Sequence, residues 1–114
     1  MSYKVLPSEK FKKEAKRLIK KFPSLKQELT DLGKVLSSNP ESGTPLGNNT
    51  YKIRIAIKSK GKGKSGGARV ITYVISENQE IYLLTIYDKS EFDSIDDKII
   101  KNIVKTLVHD NSGK

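Results

Sequence analysis

The sequence lacks cysteine and tryptophan altogether, and it contains a single histidine, His109. Without cysteine there is no disulfide framework, no thiol nucleophile and no thiolate zinc site. One histidine also excludes a histidine-rich metal site and a nuclease that depends on a histidine pair. His109 lies near the end of a predicted helix, where its charge suits the helix dipole, and we assign it no catalytic role. We therefore expect a protein that works without a metal or a cofactor.

Long apolar runs are also missing. No stretch approaches the ~18 consecutive apolar residues of a membrane-spanning helix, and residues 1–10 lack the apolar region of a signal peptide. The 114 residues suffice for one hydrophobic core and are too few for two domains. The expectation is a single cytoplasmic domain over residues 1–114, with no membrane partner.

Negative charge is absent from the middle of the chain. No acidic residue occurs between Glu41 and Glu77, and seven cations lie there: Lys52, Arg54, Lys58, Lys60, Lys62, Lys64 and Arg69. Cations without counter-charges repel one another unless an anion binds. The whole chain has 22 Lys and Arg against 13 Asp and Glu, a formal charge of +9. This balance favours a polyanion or an acidic protein as partner. The lysines of the N-terminal third are instead interpreted as a solvated helix face.

Hydrophobic spacing predicts two helices in the N-terminal third, after a short edge strand at Ser2–Leu6. Pro7 and Ser8 open the first helix, and a proline at position 23 ends it. Ser24 and Gln27 have the spacing of a capping box for the second helix. Two helices joined this closely form an antiparallel hairpin.

Alternation with a period of two predicts three strands after a loop at Glu41–Thr50. The strands begin at Tyr51 and continue at Arg69–Ile75 and Ile81–Tyr87, and they form an antiparallel meander. Its apolar face packs against the helices and its other face is open. Ser94–Val108 carries a wide apolar stripe and is predicted to be a C-terminal helix. The element order β-α-α-β-β-β-α predicts an α+β fold.

The open face of the meander collects cations. Lys52 and Arg54 alternate with isoleucines and share this face, and Arg69 at the start of the next strand joins them. Three converging cations favour a bound phosphate, although cations that extend into water give the same pattern. Tyr73 or Tyr82, together with Tyr87, supplies phenols or stacking surfaces to the sheet faces.

Lys58–Gly67 is a glycine-spaced cationic loop between two strands. Its Gly63-Lys64-Ser65 is similar to the end of a phosphate-binding loop, but that motif needs a glycine at position 58 and a following helix. Position 58 is a lysine and a strand follows, so nucleotide hydrolysis is excluded. We predict a flexible loop whose lysines bind a polyanion. These lysines are Lys58, Lys60, Lys62 and Lys64.

Three carboxylates precede the C-terminal helix: Asp88, Glu91 and Asp93. Carboxylates of this kind bind divalent metals in some proteins and cap helices in others. Their place just before a helix favours capping.

Three segments resemble a known family: Tyr-Lys-Ile-Arg-Ile at 51–55, Gly-Lys-Gly-Lys-Ser-Gly-Gly-Ala-Arg-Val-Ile at 61–71, and Ile-Tyr-Leu-Leu-Thr-Ile-Tyr-Asp-Lys-Ser-Glu at 81–91. They are similar to the HigB branch of the RelE/ParE toxin superfamily. The resemblance implies a toxin of a bacterial type II toxin–antitoxin pair. It also implies an antiparallel sheet packed against an N-terminal helical hairpin, with a C-terminal helix. RelE-like members cleave mRNA in the ribosomal decoding site, whereas ParE-like members inhibit DNA gyrase.

The resemblance also implies roles for particular residues. Lys52 and Arg54 match strand cations of the RelE site, Arg69 matches the arginine that binds the scissile phosphate, and Lys89 matches a basic position after the last strand. Where RelE has an arginine and a tyrosine general base, this chain has serine at position 90 and aspartate near position 96. Arg69 and Arg54 are therefore expected to stabilise the phosphate. Lys52, Lys89 and Tyr87 are the candidates for proton transfer, and Tyr73 is grouped with the RNA-binding lysines.

The leading expectation is a ribosome-dependent mRNA endoribonuclease, an mRNA interferase that inhibits translation by metal-independent attack of the ribose 2′-OH on the phosphate. Its expected partners are an acidic cognate antitoxin, the ribosome and mRNA. The alternatives are a ParE-like gyrase inhibitor and an RNA- or ribosome-binding module without nuclease activity.

Overall fold

The computed structural model describes residues 2–61, 63 and 66–112, with side chains up to residue 107. In chain order its elements are β1 (Lys4–Pro7), α1 (Glu9–Lys21), α2 (Leu25–Ser38), β2 (Thr44–Gly47), β3 (Thr50–Ile55), β4 (Ala68–Ile75), β5 (Glu80–Asp88) and α3 (Asp97–Ser112). Short 3₁₀ turns at Lys58–Lys60 and Ser76–Asn78 lie in the β3–β4 and β4–β5 connections.

The strands form one five-stranded sheet in the order β1-β5-β4-β3-β2. The predicted meander β3-β4-β5 is present with antiparallel pairing throughout. The sheet is nevertheless mixed, because β1 pairs in parallel with β5. A parallel pair needs a crossover connection, and here the helical hairpin α1–α2 lies within that connection. The predicted α+β class, the N-terminal hairpin and the C-terminal helix are confirmed.

Ser8 begins α1 as predicted, since its hydroxyl accepts a hydrogen bond from the amide of Phe11 at 3.1 Å. The capping box at Ser24 is wrong. Ser24 precedes α2 but makes no side-chain cap, because its hydroxyl instead interacts with Ser59 at 2.9 Å. Gln27 donates to Asp31 within the same helix.

The predicted loop at Glu41–Thr50 contains a strand. β2 pairs with β3 in a hairpin whose turn residues, Asn48 and Asn49, have φ of 53° and 64°. Asparagine tolerates this left-handed conformation better than most residues, and two such residues in succession are typical of a tight hairpin turn.

Each face of the sheet is covered. The hairpin α1–α2 buries one face around Leu18, Leu25 and Ile53. The opposite face, predicted to be open, packs against α3, whose Ile100 joins Ile71 in a second apolar cluster. The open-face prediction is wrong because the stripe on α3 needs a sheet face to cover, and only this one is left. Among the described residues, no helix combines the length and apolar composition that a membrane span requires.

Candidate functional site

Strand register places three of the predicted site residues in one row across the sheet. Arg54 on β3 lies opposite Arg69 on β4, and Arg69 lies opposite Tyr87 on β5. Directly opposed side chains project from the same face with Cβ atoms about 4.5–5.5 Å apart. The row therefore brings two guanidinium groups and a phenol together on the face that α3 partly covers.

The members of the row differ in exposure. Arg54 is exposed, whereas Arg69 is only 4% exposed and its Nη1 donates to the carbonyl of Ala68 at 3.1 Å. The predicted position of Arg69 on an open part of the sheet is therefore wrong, because β4 is the central strand and α3 packs on this face. A buried guanidinium beside an exposed one gives the row a fixed charge at its centre and an accessible charge at its end.

Tyr87 is 3% exposed, and its hydroxyl has no hydrogen-bond partner among the residues that the structure describes. Burial raises the pKa of this phenol, and the charge of Arg69 only partly offsets that effect. Tyr87 is thus protonated at neutral pH. A buried hydroxyl that holds a proton and has no acceptor is placed to donate to a bound molecule.

Lys52 and Tyr73 lie on the same sheet face as the row but at different distances from it. Lys52 is two residues from Arg54 along β3 and opposes Ile71. Tyr73 is four residues from Arg69 along β4, or roughly 13 Å, and it packs against the cluster beneath α3. The structure therefore brings Lys52 near the row and leaves Tyr73 apart from it.

Lys89 directly follows β5, two residues beyond Tyr87. Its backbone amide donates to the carbonyl of Gly67 at 3.0 Å. Its Nζ donates to the backbone oxygen of Asp93 at 3.1 Å and to Oδ1 of that residue at 3.2 Å. Both contacts keep Lys89 close to the β5 end of the row.

Lys60 is bound to the protein itself. Its ammonium group forms an ion pair with Asp88, and it also donates to Gly66 O at 2.9 Å and to Ser90 Oγ at 2.6 Å. It lies 5.5 Å from the centroid of the Phe22 ring. With its side chain 11% exposed, Lys60 connects the β3–β4 loop to the end of β5. The sequence grouped it with the RNA-binding lysines, since spacing alone does not reveal the carboxylate that meets it.

Asp88 is 1% exposed, and burial disfavours its charged form. Hydrogen bonds from Lys60 and from the Ser90 amide outweigh this effect and hold its pKa below the ordinary value. Asp88 is therefore ionised at neutral pH and forms a salt bridge inside the protein.

The start of the loop is anchored, in contrast to the predicted flexible segment. The amide of Lys58 donates to Glu28 on α2 at 2.7 Å, and the amide of Ser59 donates to Ser24 at 2.9 Å. The side chain of Lys58 remains exposed. The predicted RNA-binding residues Lys62 and Lys64 lie outside the described residues.

The three carboxylates predicted to cap α3 do not do so, because the helix begins only at Asp97. Each forms an ion pair instead: Asp88 with Lys60, Glu91 with Arg17, and Asp93 with Lys89. In the part of the chain that the structure describes, no group of three or more His, Asp or Glu side chains is placed to hold a metal ion.

No sequence pattern singled out Phe92, which is 56% exposed. Its ring and the ring of Tyr87 form a T-shaped pair, with centroids 6.3 Å apart and an interplanar angle of 84°. The only sequence signal for Phe92 is its aromatic ring in an otherwise acidic stretch, five residues after Tyr87.

A five-stranded sheet between an N-terminal helical hairpin and a C-terminal helix, with a row of cations on the sheet, defines a RelE-type fold. Two solved structures of the E. coli toxin RelE share this fold. A double mutant in the free state matches with a TM-score of 0.63 and 19% identity, over 94% of this chain and 99% of that one. The isolated toxin matches with a TM-score of 0.52 and 20% identity, over 92% and 98%.

No protein-family model matches the sequence. The two RelE structures nevertheless confirm the fold that the resemblance to the RelE/ParE superfamily implied. Assignment to the HigB branch stays a prediction.

Proposed function

We propose that this protein is the toxin of a type II toxin–antitoxin pair and that it cleaves mRNA on the ribosome. The observation that carries the proposal is the row of Arg54, Arg69 and Tyr87 on a RelE-type sheet. Two guanidinium groups bind a phosphate well, because their donors match its oxygens in geometry and charge. The phenol beside them supplies a proton at the same place.

The chemistry that suits this row uses the RNA's own nucleophile. The ribose 2′-OH attacks the adjacent phosphorus, the bond to the 5′ oxygen breaks, and the 2′ proton leaves. Arg54 and Arg69 neutralise the charge that develops on the phosphorane. Tyr87, which burial keeps protonated at neutral pH, donates its proton to the departing 5′ oxygen. Among the lysines near the row, Lys89 is engaged by Asp93, so we assign the acceptance of the 2′ proton to Lys52, which takes it up as the neutral amine.

The partners follow from charge. With a formal charge of +9, the chain attracts both RNA and an acidic antitoxin. The exposed Lys58 steers RNA toward the row, together with Lys62 and Lys64 as predicted from the sequence. Lys60 contributes indirectly, since it ties the start of the β3–β4 loop to the end of β5.

The test is induction of the protein in a bacterium, followed by primer extension on translated transcripts. We expect discrete cuts inside translated messages with the wild type and none with Arg54→Ala. Lys34→Ala removes the same charge from an exposed position on α2 and should leave the cuts unchanged. Intact messages accompanied by DNA damage would contradict the proposal and support gyrase as the target.

A further inference from the structure

The exposed ring of Phe92 is held in place by hydrogen bonds and ion pairs around it. Its backbone amide and that of Glu91 donate to the carbonyl of Asp88, at 3.1 and 2.9 Å. The Glu91 carboxylate forms a two-point ion pair with Arg17, with N–O distances of 2.7 and 3.3 Å. Asp88 itself is fixed by Lys60. The segment is thus tied to α1, to the β3–β4 loop and to β5.

The ring stands in solvent although neighbouring apolar surface is available in the cluster that contains Tyr87. It meets the ring of Tyr87 in a T-shaped contact, and more than half of its own surface remains exposed. Fixed aromatic rings with an accessible face are the platforms on which proteins stack unpaired bases. This one lies directly beside the phenol of the phosphate-binding row.

We propose that Phe92 stacks on an unpaired nucleobase next to the phosphate bound by Arg54 and Arg69. The inference rests on the proposed function and deepens it, since it assigns the base-binding residue of the same site. Stacking would hold the nucleotide in the orientation that in-line attack requires. Because every base has a flat face, this contact orients the nucleotide without selecting a sequence.

A protein partner is the competing occupant of this ring. RNA is favoured because the ring contacts Tyr87 of the row and because the flanking carboxylates of Glu91 and Asp93 are paired with Arg17 and Lys89. If Phe92 binds a protein segment instead of RNA, substitution of Phe92 should not change mRNA cleavage. This outcome distinguishes a protein occupant from RNA.

The experiment uses purified ribosomes programmed with a short mRNA and measures single-turnover cleavage against toxin concentration. Phe92→Leu keeps an apolar side chain and removes the flat ring, and Phe92→Tyr restores the ring. We expect Phe92→Leu to raise the half-saturating concentration about tenfold, as for the loss of one base–aromatic stack. Phe92→Tyr should behave like the wild type. Ile99→Leu, a change at another exposed apolar position, is the matched control.

A second mRNA series carries one abasic nucleotide at each position near the cut. At one position, the abasic nucleotide should raise the half-saturating concentration of the wild type about tenfold. It should not raise that of Phe92→Leu any further. The stacking role would be overturned if Phe92→Leu cleaved mRNA as well as the wild type does. It would also be overturned if every abasic position weakened both proteins equally. A wild-type protein that cleaves none of these messages would instead refute the proposed function, and this inference with it.

Discussion

Arg54 and Arg69 lie opposite each other on adjacent strands but differ in burial. We therefore expect substitutions at the two positions to differ in their effect on stability. Arg69 is 4% exposed on the central strand, so Arg69→Ala removes buried packing and a hydrogen bond to Ala68. We expect it to lower the free energy of unfolding by about 1–3 kcal/mol. Arg54→Ala, at an exposed position, should change it by less than ~0.5 kcal/mol. Urea unfolding of both variants measures this, and equal midpoints would contradict the difference in burial.

Tyr87→Phe should separate stability from activity. The Tyr87 hydroxyl has no partner among the described residues, so its removal leaves no other group unsatisfied. We expect an unchanged or raised melting temperature together with a cleavage rate at least ~100-fold lower, the usual contribution of a general acid. Thermal unfolding and single-turnover cleavage on the same preparation check both parts. A variant that cleaves at the wild-type rate would remove Tyr87 from the mechanism.

At the scale of residues, the sequence located the members of the row but not their exposure. Alternation placed Lys52 and Arg54 on one face, and Arg69 was added from its position at the start of the next strand. Burial depends on which elements cover that face, and the local sequence pattern does not show which elements these are. The pairing of Lys60 with Asp88 joins residues 28 positions apart and was missed for the same reason.

At the scale of elements, the salt bridge between Lys60 and Asp88 ties the β3–β4 loop to the end of β5 and makes stability depend on pH. The folded-state pKa of Asp88 lies below its unfolded value. Its contribution is therefore complete above the ordinary aspartate pKa of about 3.9 and is lost as the pH falls through the folded-state pKa.

We expect Asp88→Asn to cost about 3 kcal/mol at neutral pH, because it leaves the Lys60 charge largely buried without its partner. Below about pH 4 the wild type should lose stability more steeply than the variant, and the two curves should converge. Urea unfolding between pH 7 and pH 2 provides the measurement. Parallel curves over the whole range would show that Asp88 is not the group responsible.

The start of β4 requires glycine at position 67. A Cβ atom there would lie 1.9 Å from the carbonyl oxygen of Ile55, whereas a Cβ at Gly63 would meet nothing within 4 Å. Gly67→Ala should therefore destabilise the fold by about 1–3 kcal/mol, and Gly63→Ala serves as its matched control with little effect. Equal stability of the two variants in urea would contradict the close approach of β3 to this residue.

Element boundaries show where sequence patterns stop being informative. The apolar period and the Ser8 cap were enough to locate α1. β2 was missed because its four residues are all exposed and carry no alternation, so the segment was predicted to be a loop. The apolar stripe of α3 predicted a helix that packs on other elements, but the stripe does not show which face of the sheet the helix covers.

For the whole molecule, the fold is shared with RelE although the sequences are only 19–20% identical. The shared fold covers nearly the full length of both proteins. A fold by itself does not define a function, which depends on the side chains of the site. In this chain the site is a row of two arginines and a phenol, and the formal charge of +9 favours anionic partners.

We propose that the row of Arg54, Arg69 and Tyr87 cleaves RNA through the ribose 2′-OH. Single-turnover cleavage of an mRNA in the decoding site of purified ribosomes tests this, compared with the same mRNA carrying one 2′-deoxynucleotide at the mapped cut. We expect the all-ribose message to be cut to leave a 2′,3′-cyclic phosphate and the 2′-deoxy message not to be cut at that position. An uncut ribose message, or equal cleavage of both messages, would contradict it.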